Sequence, residues 1–255
     1  MMLLKYIAFL LCVMPLITMA QKPYIKKGEP GAEKSWRIEW KDNFVNRKTI
    51  DENWIAENMA PSHIISSRWR ENVCVRRGKL VLNNRREQRE GKEWTTGSIT
   101  CKRKFMCGYY ECRLKLSDAP GINNSFWLYN WNKTDEKHAF EIDILEGHYP
   151  NEINTTIHDR GNKRIGGTKA LTNIVKKEAD LTHKFHRYGF WWSEEILRFY
   201  FDGRLIWEVP NNHCHQEANL VLGTAVIKWA GAVTEAIDGT SMEVDYLRVW
   251  KEKTN

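Results

Sequence analysis

Apolar and polar positions along this chain alternate in short runs, rich in β-branched and aromatic residues and bounded by Gly, Asn, Asp and Pro. Examples are WRIEW (36–40), GKLVLN (78–83), GYYECRLKL (108–116), SFWLYNW (125–131), INTTIH (153–158), HRYGFWW (186–192), NLVLGTAV (219–226) and MEVDYLRVW (242–250). A period near two with such punctuation predicts strands. LRFYFDGRLIWEV (197–209) sets two runs around Asp202-Gly203, residues that readily take the positive φ angles of a tight primed turn, and so predicts a hairpin. Residues 168–181 are a candidate helix, although no segment sustains an apolar stripe at three- to four-residue spacing. Neither an internal repeat nor a long break interrupts the pattern after Trp36. A chain of 255 residues suits one all-β domain, here two packed antiparallel sheets of the jelly-roll kind.

The first residues stand apart from this pattern. MMLLKYIAFLLCVMPLITMA (1–20) has one basic residue, an apolar run interrupted by Pro15, and small residues before Gln21. That is the layout of a secretory signal peptide, and the run is short for a membrane span. An exported chain is expected, in a periplasm, on a cell surface or secreted. Residues 21–34 are polar, with Pro23, Gly28, Pro30 and Gly31, and read as a leading arm. The expected organisation is a signal peptide (1–20), an arm (21–34) and a single domain (35–255). No later segment is apolar enough to cross a membrane.

Composition changes this picture only slightly. Without residues 1–20 the net charge of +7 loses the charge of Lys5 and becomes +6, with basic clusters scattered at 83–87 and 101–105. A solvated basic surface, a nucleic-acid partner and an acidic polysaccharide all fit such a balance; an exported protein seldom meets nucleic acid. Five cysteines remain (Cys74, Cys101, Cys107, Cys112 and Cys214), without the spacing of a zinc site. They read as mostly free core residues, with one bridge open among Cys101, Cys107 and Cys112. Twelve tryptophans exceed what a core needs. Most belong inside, yet Trp127, Trp131, Trp94 and Trp229 are candidates for stacking on sugar rings. Trp127, Tyr129 and Trp131 share one strand parity.

FEIDILEG (140–147) carries the candidate chemistry. Glu141 and Asp143 share a strand face, but Glu146, five positions from Glu141, would point away. A β-bulge at Ile144–Leu145 returns Glu146 to the acidic side and leaves the apolar residues toward the core. The two glutamates then lie about four strand steps, roughly 13 Å, apart at Cα. Side chains leaning inward leave about 5 Å between carboxyls, in the range of retaining glycosidases. Crowded acids raise the pKa of at least one of them, so one carboxylate attacks while the other holds a proton for the leaving oxygen. Asp143 between them can orient a neighbour. Two plainer readings compete: acids that merely face solvent, and a calcium site, which usually draws on loops rich in Asp, Asn and Gly.

Glu141-Ile142-Asp143-Ile144-Leu145-Glu146 resembles the ExDxxE signature of glycoside hydrolase family 16 in its bulged form. The resemblance extends over WKDNF (40–44), residues 94–130, FHRYGFWWSEEILRFYFDGRLI (185–206) and MEVDYLRVWK (242–251). It implies a concanavalin-like jelly roll with a concave cleft and an endo-acting, retaining enzyme on β-linked glucans or galactans. Carried over by position, Glu141 is the nucleophile, Glu146 the acid/base, Asp143 their partner and Trp127 a sugar platform. His158 falls where family members often place a histidine near the cleft, or is simply a strand histidine bonded to backbone. Arg85 and Arg86 are candidates for substrate contact or for a solvated turn. No cofactor is required, but some members bind calcium on the convex side, where Asp245 is the candidate ligand.

Laminarin-cleaving members usually carry Trp-Pro-Ala ahead of Phe-Trp; here the residues are Asn123-Asn124-Ser125. With the double Trp191-Trp192, this looks more like the galactan-cleaving branches: agarases, porphyranases, carrageenases and enzymes of mucin-type chains. The expected substrate is a β-galactoside-containing galactan or host O-glycan, with endo-β-1,3(4)-glucanase activity as the rival. A lectin-like carbohydrate-binding module is the alternative from another class. The expected partner is a poly- or oligosaccharide, with no nucleic acid and a monomeric chain.

Overall fold

The computed structural model describes residues 21–46, 48–131, 139–161 and 169–253. The signal-peptide reading of residues 1–20 therefore lies outside the described residues. Two antiparallel sheets pack face to face. The front sheet runs, in order, Lys169–Lys176, Glu152–Asp159, Phe140–His148, Ile122–Asn130, Ala218–Val226, Ser98–Phe105 and Trp54–Ala56. The back sheet runs Arg204–Pro210, Ile196–Phe201, His186–Trp192, Gly108–Lys115, Ser241–Glu252, Lys79–Asn83 and Val73–Arg76, and Trp36–Asp42 also pairs with Ser241–Glu252. A third sheet of Ser66–Arg68, Lys92–Thr96 and Arg85–Arg89 flanks them.

Strand alternation produces the core. Phe126, Leu128, Ile142, Leu145, Leu220 and Leu222 of the front sheet pack with Tyr110, Leu114, Phe190, Phe199 and Leu247 of the back sheet, all fully buried. Each such side chain contributes about 1.5–3 kcal/mol of burial. A one-residue slip of any of these strands would turn its apolar row outward, so the register is firmly set.

The predicted hairpin forms, with Ile196–Phe201 paired to Arg204–Pro210. Asp202 and Gly203 have φ of 45° and 75°, the positive pair that a primed turn requires. The described part of the candidate helix, 169–181, is not helical: Lys169–Lys176 is an edge strand paired with Glu152–Asp159. Pairing with a neighbour overrides the weak local preference of that segment. All five described cysteines are free, so the bridge left open among Cys101, Cys107 and Cys112 does not form.

The arm at 21–34 is docked on the outer surface of the back sheet. Trp250 Nε1 donates to the Gln21 carbonyl at 2.8 Å, the Tyr24 amide donates to buried Glu111 at 2.9 Å, and the Tyr200 hydroxyl donates to the Pro30 carbonyl at 2.8 Å. It covers a cluster of Trp36, Tyr109, Trp191, Tyr200 and Trp250. Trp192 lies in the main core, its Nε1 donating to the Cys214 carbonyl, so both members of the double tryptophan are buried. No helix among the described residues is long and apolar enough to cross a membrane.

Candidate active site

The acidic strand Phe140–His148 carries the bulge that its odd spacing demands. Against Glu152–Asp159, Asp143 pairs with Thr156 and Glu146 with Asn154, so Ile144 and Leu145 together oppose Thr155. Against Ile122–Asn130, Leu145 pairs with Phe126 and Asp143 with Trp127, which isolates Ile144. The extra residue restores parity. Ile142, Ile144 and Leu145 enter the core, while Glu141, Asp143, Glu146 and His148 share the front face. The partners of Glu141 and Glu146 on the Ile122–Asn130 strand are Tyr129 and Ser125, four steps or about 13 Å apart. Gly147 is fixed by its surroundings, because an added Cβ would lie 2.6 Å from Leu116 Cδ2.

Each carboxylate of the row has a different environment. Arg160 Nη2 donates to Glu141 Oε1 at 2.8 Å. His158 Nε2 lies 3.2 Å from Asp143 Oδ2 and 3.7 Å from Glu141 Oε1. Asn123 Nδ2 donates to Glu146 Oε1 at 2.8 Å. Burial pushes the Glu146 carboxyl up to about 8, the charges of Asp143 and Glu141 add to the rise, and the Asn123 amide opposes it. Asp143 is also pushed well up, first by burial and then by Glu141, with Arg160 opposing. Burial lowers the pKa of His158, with Glu141 opposing, which favours the neutral imidazole. The row thus combines a carboxylate on a guanidinium with one that holds a proton at neutral pH, an arrangement able to run nucleophilic and acid chemistry side by side.

Aromatic rings continue the face. Trp127 and Tyr129 have ring centroids 5.1 Å apart, and Tyr129 and Trp131 4.4 Å apart. Trp131 is 52% exposed and, with Tyr129, Asn130, Lys104, Gln216, Glu217 and Asn219, lines a cavity of about 550 Å³ beyond Glu141. Toward the other end, Trp229 is 56% exposed and meets His148 edge to face at 4.9 Å. Asn154 and His148 share contacts with Glu152 there.

One expected sugar-binding position and one metal ligand need correction. Trp94 is 4% exposed and packs with Ala119, Ile122, Val226 and Ile237, so it is a core residue of the flanking sheet. Arg85 is exposed on the outer strand of that sheet, where it pairs with Thr95. Its neighbour Arg86 forms an ion pair with Glu235. Asp245 is bonded to Arg113 at 2.5 Å, and a carboxylate committed to a guanidinium is a poor ligand for calcium. Among the described residues, Glu141, Asp143 and His158 alone bring three metal-ligating side chains within 4.8 Å of one another. With Arg160 on Glu141 and an imidazole in the set, they do not fit a hard-cation site either.

Sequence reading missed Arg160, His148 and Asn154, and noted Asn123 only as a departure from a motif. Strand parity is the signal that could have found them. Glu141 pairs with His158 and Glu146 with Asn154, so Arg160 and Asn154 belong to the same face as the acids.

Residues 62–248 match the family model of glycosyl hydrolases family 16. The kappa-carrageenase of Pseudoalteromonas carrageenovora is 26% identical, covering 92% of this chain and 68% of its own length. The chain spans smaller shares of other curated relatives, 53% of one and 34% of another. Among solved structures, the endo-beta-1,3-glucanase of Pyrococcus furiosus superposes with a TM-score of 0.78 at 24% identity, covering 92% of this chain and all of that one. A structure from a study of endo-acting O-glycanases of human gut microbiota, which initiate mucin breakdown, gives 0.75 at 21% identity, over 91% and 94%. Both structural likenesses establish the jelly-roll fold.

Proposed function

The chain belongs to glycosyl hydrolase family 16, and we propose that it is a retaining endo-glycanase in which Glu141 is the nucleophile, Glu146 the acid/base and Asp143 their orienting partner. The observation that carries this reading is the contrast between two carboxylates on one face. Glu141 is held by a cation, whereas Glu146 keeps its proton up to about pH 8. In the first step a Glu141 oxygen bonds the anomeric carbon. The glycosidic C–O bond breaks, and the departing oxygen takes the proton of Glu146. In the second, Glu146 removes a proton from water, the water oxygen bonds the anomeric carbon, and Glu141 leaves as carboxylate. The overall configuration is retained.

Trp127 beside Asp143 supplies the sugar platform at the cleavage point, with Trp131 and Trp229 extending the floor to either side. An open row with rings on both sides of the acids suits a chain bound internally. The substrate we favour is a β-galactoside-containing chain, an agar- or porphyran-type galactan or a mucin-type O-glycan. Asn123 supports this, because its amide reaches Glu146 from the position where laminarin-cleaving members usually carry the tryptophan of Trp-Pro-Ala. The likeness to a carrageenase along 92% of the chain supports it too. The enzyme is exported and monomeric in this reading.

The test is reducing-end release from laminarin, agarose, porphyran, kappa-carrageenan and mucin O-glycans, with Glu141→Gln as control and proton NMR of the first-formed anomer. Release from a galactan or O-glycan with the β-anomer first is expected. Release from laminarin alone favours the glucanase reading. Retention on an immobilised glycan without release from any substrate favours a lectin.

A further inference from the structure

We propose that Arg160 is a positioning residue for the nucleophile: it holds Oε1 of Glu141 and so assigns Oε2 as the oxygen that attacks the sugar. The inference rests on the reading of Glu141 as nucleophile. Arg160 follows directly on the strand Glu152–Asp159, and its amide donates to the Ala139 carbonyl at 2.8 Å, which ties it to the start of the acidic strand. Its parity is that of His158, so its side chain comes to the acidic face. The guanidinium contacts Glu141 at one point, Nη2 to Oε1, instead of through the two-pronged fork that would occupy both oxygens. Glu141 Oε2 has no partner among the described residues. Among the described residues the other ion-pair partner of Glu141, His158, stands 3.7 Å from Oε1 as well. Among the described residues, every contact that steadies this carboxylate therefore falls on one oxygen.

The arrangement has a chemical consequence. A guanidinium remains charged at any working pH, so it favours the ionised carboxylate before attack. When Oε2 bonds the anomeric carbon, the glycosidic electron pair goes to the leaving oxygen, which is protonated by Glu146. Glu141 becomes an uncharged ester, and its contact with Arg160 weakens from an ion pair to a hydrogen bond between a cation and a neutral carbonyl. When water displaces the sugar, the C–Oε2 electron pair returns to Glu141 and the full contact with Arg160 is restored. Arg160 thus fixes the carboxylate in line for attack and favours its departure in the second step. Its Nε is buried without a partner, so among the described residues no competing anchor draws the guanidinium away.

The experiment compares wild type, Arg160→Ala and Arg160→Lys on whichever of the five glycans wild type cleaves fastest, with and without added guanidinium chloride at non-denaturing concentration. Arg160→Ala should lose about 10²–10³-fold in kcat/KM, the range seen when one preorganised donor is removed. Arg160→Lys should stay within about tenfold of wild type, since it keeps a charged donor. Guanidinium ion should restore activity to Arg160→Ala and leave wild type unchanged, an effect that a merely structural arginine would not give. An Arg160→Ala enzyme within threefold of wild type overturns the proposal. So does equal loss in both variants without guanidinium rescue. A wild type that releases no ends, or a Glu141→Gln variant that stays active, overturns the underlying assignment, which separates the two failures.

Discussion

Replacing Glu146 by Gln should inactivate the enzyme and stabilise it, and the stabilisation should grow with pH. The Glu146 carboxyl moves from an ordinary value of 4.5 in the unfolded chain to about 8 in the fold, chiefly because it is buried beside Asp143. Between those values the folded state keeps a proton that the unfolded state has released. Stability therefore falls as pH rises through the window from about 4.5 to about 8. At about 1.4 kcal/mol per pH unit, the full span sets a ceiling of about 5 kcal/mol. Asp143, pushed up by burial and Glu141, shares the repulsion, so about half of that, 2–3 kcal/mol, is expected. The side-chain amide of the Glu146→Gln variant stays neutral, and its oxygen still accepts from Asn123. The variant therefore lacks this pH-dependent loss, while titrating groups away from the acidic row cancel in the comparison. Thermal melts of wild type and Glu146→Gln at pH 5 and pH 9 read the difference directly. With about 2–4 °C per kcal/mol for a chain of this size, the gap in Tm should widen by roughly 5–10 °C toward pH 9. A gap that does not change with pH, or one that favours wild type at pH 9, would refute the burial of a protonated acid at this position.

Three further outcomes follow from the same geometry. Asn123→Ala removes the amide that opposes the rise at Glu146, so the alkaline limb of kcat/KM should move to higher pH; a limb that stays in place or moves down contradicts the Asn123–Glu146 contact. Trp131→Ala, at an exposed ring tilted against Tyr129, should raise KM by about tenfold on long substrates and leave Tm unchanged, measured by initial rates on a length series. Trp94→Ala should do the reverse, costing about 3–5 kcal/mol in chemical denaturation with KM preserved in whatever fraction folds.

The two residues in this last contrast show where sequence reading stops. Both are tryptophans in strand-like surroundings, and nothing adjacent to either in the chain distinguishes a ring that lines a cavity from one that fills a core. Trp94 is buried because the flanking sheet folds against Ile122, Val226 and Ile237, partners between 28 and 143 positions away. In the same way Arg160 meets Glu141 only because their strands are neighbours, and Lys169–Lys176 is a strand because Glu152–Asp159 offers it an edge. Asp245 carries a suitable charge, yet it is taken by Arg113.

Local chemistry is enough to specify the elements with a strict period: the strand runs, the Asp202-Gly203 hairpin, and the bulge that an acidic face interrupted at an odd spacing requires. These rest on side-chain alternation and backbone φ preference, which act between residues a few positions apart. Long-range packing settles the rest: which oxygen of Glu141 is tethered, how far burial lifts Glu146, and which of the spare indoles stay in reach of a ligand. Burial and electrostatic coupling depend on what packs across the sheet, and that is set by contacts between residues far apart in the chain.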